Sequence, residues 1–446
     1  MKAAPGTFGV PRAARWEQMW QRIAYPLAMP RSVGIRRFQW FWPLLVWLIV
    51  ALVAVSCGTA PSGSTDSSAI MRPSGPGATP TWSGSPGSPA GTPQGSATCA
   101  ARTLAEMTEP QRVGQLFLLG IEGDLLAPGE TAAIESHHLG SIWLVNRRTG
   151  GIEGVRPLTA QIQALATEST THGIGFFVGA DQEGGQIQLL TGPGVTTIPS
   201  ALDQGRLSTT VLQADATQWG RELSMAGINL DFAPVMDVVP PGADATNEPI
   251  GALQREYGHD PTTVGSHGAA VIRGMAQAGI PTTLKHFPGL GRVVGNTDTV
   301  AGVVDSTTTA NDPYLEAFRT GIGAGAPFVM VSLATYSAID PDHQAVFSPT
   351  IIEGLLRQRL GFEGVVMSDD LGSAASVTSM APGDRATAFI AAGGDLMIVR
   401  GVAPASQMAA AVLDRASSDP AFALKVGTAV LYVLRAKEAN GLLSCG

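Results

Sequence analysis

The feature that most constrains the fold is a regular alternation of short apolar runs and amphipathic stretches from Thr103 onward. Each run is long enough for one buried strand, and apolar residues between the runs recur at spacings of three and four, as in helices. Many runs follow a glycine, which often ends a helix in the left-handed conformation. The runs lie at residues 114–121, 140–146, 175–185, 229–238, 281–289, 327–336, 364–371 and 393–401.

Continuous apolar runs separated by helices predict a parallel sheet that is buried on both faces. Eight such units favour an α/β fold of the (β/α)8 barrel type, in a single domain at residues 99–446. A doubly wound open sheet is the competing fold. No glycine-rich dinucleotide fingerprint supports it.

Polar residues stand where the predicted strands end. In a (β/α)8 barrel the carboxyl ends of the strands meet at one face, and catalytic groups lie there. We therefore expect a cleft that is rich in carboxylates and also contains two cations, Lys285 and His286. The strand-end residues are Asn146, Asp181, Glu183, Asp237, Lys285, His286, Ser332, Asp369, Asp370 and Arg400.

The first 57 residues differ from the rest. The run Phe38–Ser56 carries no charge and follows Arg36 and Arg37. Its basic flank and the cysteine directly after it resemble a bacterial lipoprotein signal that is cleaved before Cys57, which is then acylated. An uncleaved anchor helix remains the alternative. Either reading places the body outside the cytoplasm, anchored to the cell membrane, because the arginines stay inside.

The next segment, residues 58–98, is rich in Ser, Gly, Pro and Thr and has few large apolar groups, so we interpret it as a disordered tether. Two further cysteines, Cys99 and Cys445, stand at the two ends of the following domain. In an oxidising compartment they are candidates for a disulfide that joins the chain termini. Two free thiols are the alternative.

Charge and motif content exclude several classes of function. Seven basic residues against one acid precede residue 58, so with a whole-chain net charge of −8 the remainder carries about −14. Such an acidic body is a poor partner for nucleic acid. The chain has no HExxH-type histidine pair, so we expect no catalytic metal, and nothing points to a cofactor. Cysteine-based and Gly-x-Ser-x-Gly nucleophiles are also absent.

Carboxylates at a cleft suit chemistry on sugars. A retaining glycosidase needs one ionised acid to attack the anomeric carbon and a second group to protonate the leaving oxygen. Hydroxyl-rich substrates also need charged hydrogen-bonding side chains. Asp181, Arg255 and Lys285 are candidates for that binding.

Five motifs, namely ADQEGG, INLDFAPVMDV, QREYGHDP, KHFPG and GFEGVVMSDDL, occur in the order and spacing of glycoside hydrolase family 3. The resemblance spans about Thr103 to Gly401 and is closest to the single-domain β-N-acetylhexosaminidases. The chain lacks the second domain with which the family's β-glucosidases supply an acid/base. The resemblance implies a carbohydrate substrate.

By that resemblance, Asp369 of the SDD motif is the nucleophile, and nearby Lys285 and His286 would favour its charged form. Asp370 would be a structural partner. Lys285, His286, Asp181 and Arg255 would bind sugar hydroxyls. For each, a purely structural contact is the alternative. Glu183 is interpreted as loop scaffolding.

The chain departs from the family pattern at the acid/base. The family usually has KHFPGHG and then an Asp-x-His dyad, whose histidine transfers the proton. Here Leu290 and Val300 stand at the two histidine positions, while Asp298 keeps the dyad's aspartate. Gln186 and Leu189 also stand where arginines are common.

Three explanations of the missing histidine follow. Asp298, or another loop acid such as Asp305, takes over proton transfer; a histidine enters from elsewhere; or general acid catalysis is lost. We favour Asp298 as the acid/base, because a raised pKa in a closed loop would permit this.

The leading hypothesis is an exo-acting retaining glycosidase that removes terminal β-linked N-acetylglucosamine, from cell-wall muropeptides or peptidoglycan fragments. A β-glucosidase or β-xylosidase of the same family is one alternative. A catalytically weakened lipoprotein that binds wall sugars is another, favoured by Leu290 and Val300.

Overall fold

A computed structural model of the protein describes residues 98–445. The predicted membrane segment at residues 1–57, with Cys57, lies outside the described residues. So does the predicted linker at residues 58–98, apart from its last residue. Among the described helices, none combines the length and the apolar character needed to cross a bilayer.

A parallel strand lies within each of the eight predicted apolar runs. Several strands are shorter than the runs, most of all the fourth, which has two residues. The strands are β1 (Phe117–Ile121), β2 (Ser141–Leu144), β3 (Phe177–Ala180), β4 (Leu230–Asp231), β5 (Thr283–Phe287), β6 (Phe328–Val331), β7 (Val365–Ser368) and β8 (Met397–Arg400).

The strands form two parallel sheets with the orders β8-β1-β2-β3-β4 and β7-β6-β5. Three isolated parallel bridges link the sheets, one of them between Val235, just after β4, and Lys285 of β5. Asp231 of β4 pairs with Thr282 just before β5, and Met367 of β7 pairs with Leu396 just before β8. The described chain is therefore an α/β structure with parallel sheets, as predicted.

Helices connect the successive strands of the described residues. Twelve are α-helices, and a π-helix at Thr350–Arg359 joins β6 to β7. The α-helices are α1 (Cys99–Glu106), α2 (Glu109–Gly114), α3 (Pro128–His137), α4 (Gly151–Ala164), α5 (Glu168–Thr171), α6 (Ala201–Gln204), α7 (Thr209–Met225), α8 (Pro261–Gln277), α9 (Leu315–Gly323), α10 (Pro382–Ala391), α11 (Val402–Ser418) and α12 (Pro420–Ala439).

Local sequence explains where the helix before β5 begins and ends. The side chain of Asp260 accepts hydrogen bonds from the backbone N–H groups of Thr262 and Thr263, and Pro261 occupies the first turn of α8. Both are favoured at helix starts. After the helix, Gly279 adopts a φ of +75°, the left-handed conformation predicted for a glycine that precedes a strand.

Short strand pairs and 3-10 helices lie in the loops at the carboxyl ends of the strands. Two small ladders pair Gln182–Gly184 with Ile187–Gln188 and Val304–Asp305 with Thr335–Tyr336. Three 3-10 helices lie at Asp244–Thr246, Gly251–Leu253 and Ala345–Phe347. The loop after β4 contains the first two of these helices and leads to α8.

The apolar residues separate into two clusters. The larger one lies between the helices and the sheets. The smaller one takes side chains from strands of both sheets, including Leu118 and Leu230 of the first and Met330 of the second. Within it, Phe177 of β3 meets Phe328 of β6 edge to face, with ring centroids 5.4 Å apart. Strands that are not paired by hydrogen bonds are thus held together by side-chain packing.

The two ends of the described chain are joined covalently. Cys99 at the start of α1 forms a disulfide with Cys445, and their Cα atoms are 5.7 Å apart. Next to this bond, the carboxylate of Glu438 accepts a hydrogen bond from the backbone N–H of Ala100. Helices α1 and α12 are therefore held side by side.

Candidate active site

A cavity of about 400 Å³ lies where the strands end. It brings together all six side chains to which the sequence analysis gave a catalytic or sugar-binding role. Its volume is in the range of small-molecule sites, and its lining mixes charged groups with apolar ones. The predicted residues are Asp181, Arg255, Lys285, His286, Asp298 and Asp369, and they are joined by Trp143, Phe232, Asn296, Met330 and Arg400 among others.

Asp181 is positioned by the turn that follows β3. Gly184 and Gly185 have φ values of +106° and +54°, and a Cβ atom on Gly184 would lie 2.2 Å from the carbonyl oxygen of Pro199. Only glycine fits this reversal. The indole Nε1 of Trp143 donates to Asp181 Oδ2 at 3.1 Å. The sequence analysis did not identify Trp143, which lies inside an apolar run.

Lys285 is buried between two carboxylates. Its Nζ lies 2.6 Å from Asp181 Oδ1 and 2.6 Å from Glu183 Oε1, and the residue is 1% exposed. Burial opposes the charged amine, but the negative charges of Asp181 and Glu183 raise the pKa of Lys285 above its usual value. The lysine is therefore a permanent cation beside the cavity.

Arg255 is held by the same acid. Its Nε and Nη2 donate to the two oxygens of Glu183 at 2.8 and 2.7 Å, and Nη1 donates to the carbonyl of Pro249. Burial alone would raise the pKa of Glu183, but the charges of Arg255 and Lys285 lower it to about 2. Glu183 is thus the shared anion that positions both cations, and it is not among the cavity-lining residues.

His286 is oriented by Asp237, a fully buried acid in the loop after β4. The ring Nδ1 donates to Asp237 Oδ2 at 2.8 Å, and the backbone N–H groups of His286 and Leu290 donate to Oδ1. The pairing of β5 with β6 shifts register between Leu284 and Phe287. Such an irregularity re-aims side chains, and both Lys285 and His286 line the cavity.

Asp369 follows β7, and its Oδ1 accepts a hydrogen bond from the backbone N–H of Asp370 at 2.8 Å. We expected Lys285 and His286 to keep this acid ionised. Both charges do act to lower its pKa, but burial has the larger effect and raises it. The two cations therefore favour the charged form, as expected, while removal from water outweighs them in the net shift.

Asp370 has a different environment. Its carboxylate accepts hydrogen bonds from the backbone N–H groups of Gly372, Ser373 and Arg400 and from the hydroxyl of Ser373. These contacts tie the loop after β7 to β8, as expected for a structural partner.

Asp298 approaches the cavity from the loop after β5. Backbone bonds from Ala375 and Ser376 to the carbonyls of Asp298 and Thr297 join this loop to the one after β7. The residue as a whole is exposed, while its carboxyl group lines the cavity. Partial burial and then the negative charge of Asp369 raise the pKa of Asp298 to about 6.

Other candidates for the proton donor lie elsewhere. Asp305 is buried, and its carboxylate accepts hydrogen bonds from Thr307 and from the backbone and hydroxyl of Thr308. All seven histidines of the chain lie within residues 98–445, and among them only His286 lines the cavity.

The departures from the family pattern have distinct surroundings. Leu290 is buried, whereas Val300 is 42% exposed beside Gly295 and does not line the cavity. Leu189 is also buried, and Gln186 accepts a hydrogen bond at its backbone oxygen from Arg147. An arginine does therefore stand near this turn, although from the loop after β2.

The arrangement combines fixed cations with two acids whose pKa values are raised. Groups of this kind serve acid–base and nucleophilic steps on a neutral polar substrate. Among the described residues, the cavity-lining acids do not gather into a set of three metal ligands. The geometry thus suits catalysis by carboxylates.

Comparison with known proteins agrees with this chemistry. Residues 110–422 match the glycosyl hydrolase family 3 N terminal domain. A β-hexosaminidase from Stenotrophomonas maltophilia (strain K279a) is 34% identical over 300 residues, which are 64% of this chain and 83% of that protein.

Solved structures give the same grouping. The crystal structure of a β-N-acetylhexosaminidase from Beutenbergia cavernae DSM 12333 is 48% identical, with a TM-score of 0.74 and coverage of 74% of this chain and 99% of that one. A family 3 β-N-acetylglucosaminidase from Paenibacillus sp. str. FPU-7 is 28% identical, with a TM-score of 0.68 and coverage of 76% and 64%. The chain therefore belongs to glycosyl hydrolase family 3 and is a glycoside hydrolase.

Proposed function

We propose that the protein is an exo-acting retaining β-N-acetylhexosaminidase that hydrolyses terminal non-reducing β-N-acetylglucosamine. The observation that carries this proposal is the shared cavity of Asp369, Asp298 and the Asp181–Lys285 pair. The names of the relatives favour the same substrate: two of them are β-hexosaminidases, and the Paenibacillus enzyme is a β-N-acetylglucosaminidase.

In this proposal Asp369 attacks the anomeric carbon and forms a glycosyl ester, which water then hydrolyses. The carboxylate is the reactive form. His286 and Lys285 act to lower its pKa and so oppose the effect of burial. His286 is itself held by Asp237, so the orientation of its ring is set before the substrate arrives.

Asp298 is the proposed acid/base. It has to be protonated to release the first leaving group, and its raised pKa of about 6 keeps part of the population protonated near neutral pH. Once the aglycone has left, the same carboxylate accepts the proton of the attacking water. Its attachment to the loop after β7 would keep it near Asp369 through both steps.

Sugar hydroxyls are proposed to bind Asp181, Arg255, Lys285 and His286. The side chain of Asp181 is 25% exposed, so it retains accepting capacity besides its bonds to Trp143 and Lys285. Trp143 offers an indole surface beside it, and aromatic faces pack well against apolar ones.

We also propose that the eight strands close into a (β/α)8 barrel. The three isolated bridges between the sheets and the Phe177–Phe328 contact across them support closure.

The cellular location and the source of the substrate are proposals from the sequence alone. They comprise a lipid anchor at Cys57, an extracytoplasmic location at the cell membrane and cell-wall muropeptides as the source of substrate.

The test is to trap the covalent intermediate with a fluorinated N-acetylglucosaminide that is released slowly, and to locate the label by peptide mapping. We expect the sugar on Asp369. Asp370→Asn is the matched control, because it changes the neighbouring acid and should still be labelled. A label on another side chain, or no label on a folded protein, would refute the nucleophile assignment.

Substrate choice is tested separately with aryl N-acetylglucosaminide, glucoside and xyloside. We expect the acetamido compound to have the highest kcat/KM. If it is the poorest of the three, the chain is a β-glucosidase or β-xylosidase instead. If turnover is the same in wild type and Asp369→Ala while sugar binding persists, the protein is a binder.

A further inference from the structure

Three potential ligands gather in the loop between β4 and α8, next to the cavity but not in its lining. Asp244 begins the first 3-10 helix of this loop. Glu256 and His259 lie near the end of the loop, shortly before α8. One side-chain ligand atom from each of the three lies within 4.8 Å of the other two. None of the three stands out in the sequence, because Asp244 is separated along the chain from Glu256 and His259 and meets them only in the folded loop.

Glu256 is the unusual member of the group. The residue is 0% exposed, and neither carboxylate oxygen accepts a hydrogen bond from an amide, hydroxyl or cationic donor among the described residues. A buried carboxylate without partners is costly, and most such groups in proteins are satisfied. The carboxyl group of Asp244 lies within hydrogen-bonding reach of Glu256, so two acids face each other at this point.

The other two residues aim free ligand atoms at the same place. Asp244 Oδ1 is also buried without a partner, and it lies 3.7 Å from Nε2 of His259. The Nδ1 of His259 lies 3.2 Å from the carbonyl of Val239 and can donate to it. That bond leaves the lone pair on Nε2, and metal-ligating histidines are usually oriented by such a contact.

We propose that Asp244, Glu256 and His259 bind a divalent transition-metal ion of the zinc class. Zn²⁺ accepts both imidazole nitrogen and carboxylate oxygens as ligands, and the imidazole favours a transition metal over Ca²⁺ or Mg²⁺; water would complete the coordination. Ca²⁺ prefers six or more oxygen ligands and Mg²⁺ an octahedral shell, so both suit this set poorly. Asp244 and His259 are only partly buried and can close around an ion.

The proposed ion would be structural. Glu256 directly follows Arg255, whose guanidinium is paired with Glu183. Bound metal would fix the end of the loop after β4 and so hold Arg255 in place. The ion would not contact substrate, since none of its three ligands lines the cavity.

The test uses the full chain, stripped of metal with a chelator and then titrated with Zn²⁺ alone. We expect saturable binding of one ion per chain by calorimetry, with the same ratio by elemental analysis. Glu256→Gln and His259→Ala should each weaken binding by at least ~10–100-fold, the size of effect seen even for outer-shell changes. Ca²⁺ and Mg²⁺ should not compete.

His343→Ala is the matched control, because His343 also lies beside an aspartate, Asp340, but far along the chain from the loop after β4. It should bind Zn²⁺ as the wild type does. Circular dichroism checks that each variant is folded. If Glu256→Gln does not fold, Asp244→Asn replaces it in the binding test, because Asp244 lies at a partly exposed position. No saturable Zn²⁺ binding to the wild type, or equal binding in all variants, would overturn the proposal. Asp244 and Glu256 would then be an acid pair that shares a proton.

Discussion

Two buried lysines, one at each end of the parallel strands, lie in environments that differ in charge. Lys285 is 1% exposed and Lys437 on α12 is 0% exposed. Lys285 contacts two carboxylates, whereas Nζ of Lys437 lies 2.7 Å from each of two neutral oxygens, Oε1 of Gln115 and the carbonyl of Gly140. The pKa of Lys285 is raised, while burial lowers that of Lys437 to about 7.

Burial disfavours the charged form of both lysines, and the charges of the partners decide whether that effect is reversed. A neutral amine has two N–H donors, and Lys437 has two acceptors, so the uncharged form is fully hydrogen-bonded there. At the cavity, Asp181 and Glu183 favour the ammonium form of Lys285. The chain thus maintains fixed positive charge at the end where substrate is proposed to bind, and at the other end it buries a lysine that can be neutral.

The largest effect is expected from Lys285→Met. This change leaves Asp181 and Glu183 without their shared cation, and breaking a buried pair costs about 3–5 kcal/mol of unfolding free energy. Activity should also fall, because Asp181 loses its orienting partner. Urea denaturation measures the first effect and aryl N-acetylglucosaminide turnover the second. If Lys285→Met and Lys437→Met have equal free energies of unfolding at pH 7, the two lysines do not differ in charge state as we infer.

Asp298→Asn should lower turnover of unactivated glycosides by about 10²–10⁴-fold, the usual contribution of a general acid. Activated aryl glycosides should lose much less, because their leaving groups need no proton. Wild-type activity should decline as the pH rises through about 6, where Asp298 loses the proton that it donates.

The pH profile supplies the control for this prediction. In Asp298→Asn the decline near pH 6 should disappear, since an amide does not titrate. A profile that keeps the decline in the variant would assign the proton donor to another group and leave the role of Asp369 intact.

Lys437→Met tests the other end of the strands through pH. The folded-state pKa of about 7 lies below the unfolded value of 10.5, so between these values the unfolded chain binds more protons. Wild-type stability should therefore gain, relative to the variant, up to ~1.4 kcal/mol per unit as pH rises from 7 towards 10. Denaturation of both proteins at pH 7, 8 and 9 measures the difference. A constant difference would mean that Lys437 stays charged.

The fold was largely predictable because each strand leaves a local signal. All eight apolar runs contain a strand, and glycines end the helices where expected. The strand whose predicted range differs most from the observed one is β4, predicted from 229 to 238 and observed only at Leu230–Asp231. Pro234, which has no N–H to donate, interrupts the regular ladder, and the pairing with β5 resumes only as an isolated bridge between Val235 and Lys285.

The site was predictable in its members but not in their pairing. The strand-end rule and the family motifs named the residues that share the cavity. The bidentate contact between Arg255 and Glu183 joins residues 72 positions apart, and no periodicity signals such a pair. The direction of the net pKa shift of Asp369 could not be predicted from the sequence either, because it depends on how deeply the carboxyl group is buried.

The smallest effect is expected from Val300→His, which places an imidazole at the family's dyad position. Val300 lies outside the cavity lining, and its N–H is bonded to Asn296 O within the loop turn, so the new ring would start away from the leaving group. We expect turnover of unactivated glycosides to rise by no more than ~10-fold, a small part of a full general-acid contribution. Val294→His, on the same loop at a 67% exposed position, is the matched control and should change nothing. An equal rise for activated and unactivated substrates would show that proton donation is not what limits this enzyme and that some group other than residue 300 already supplies the proton.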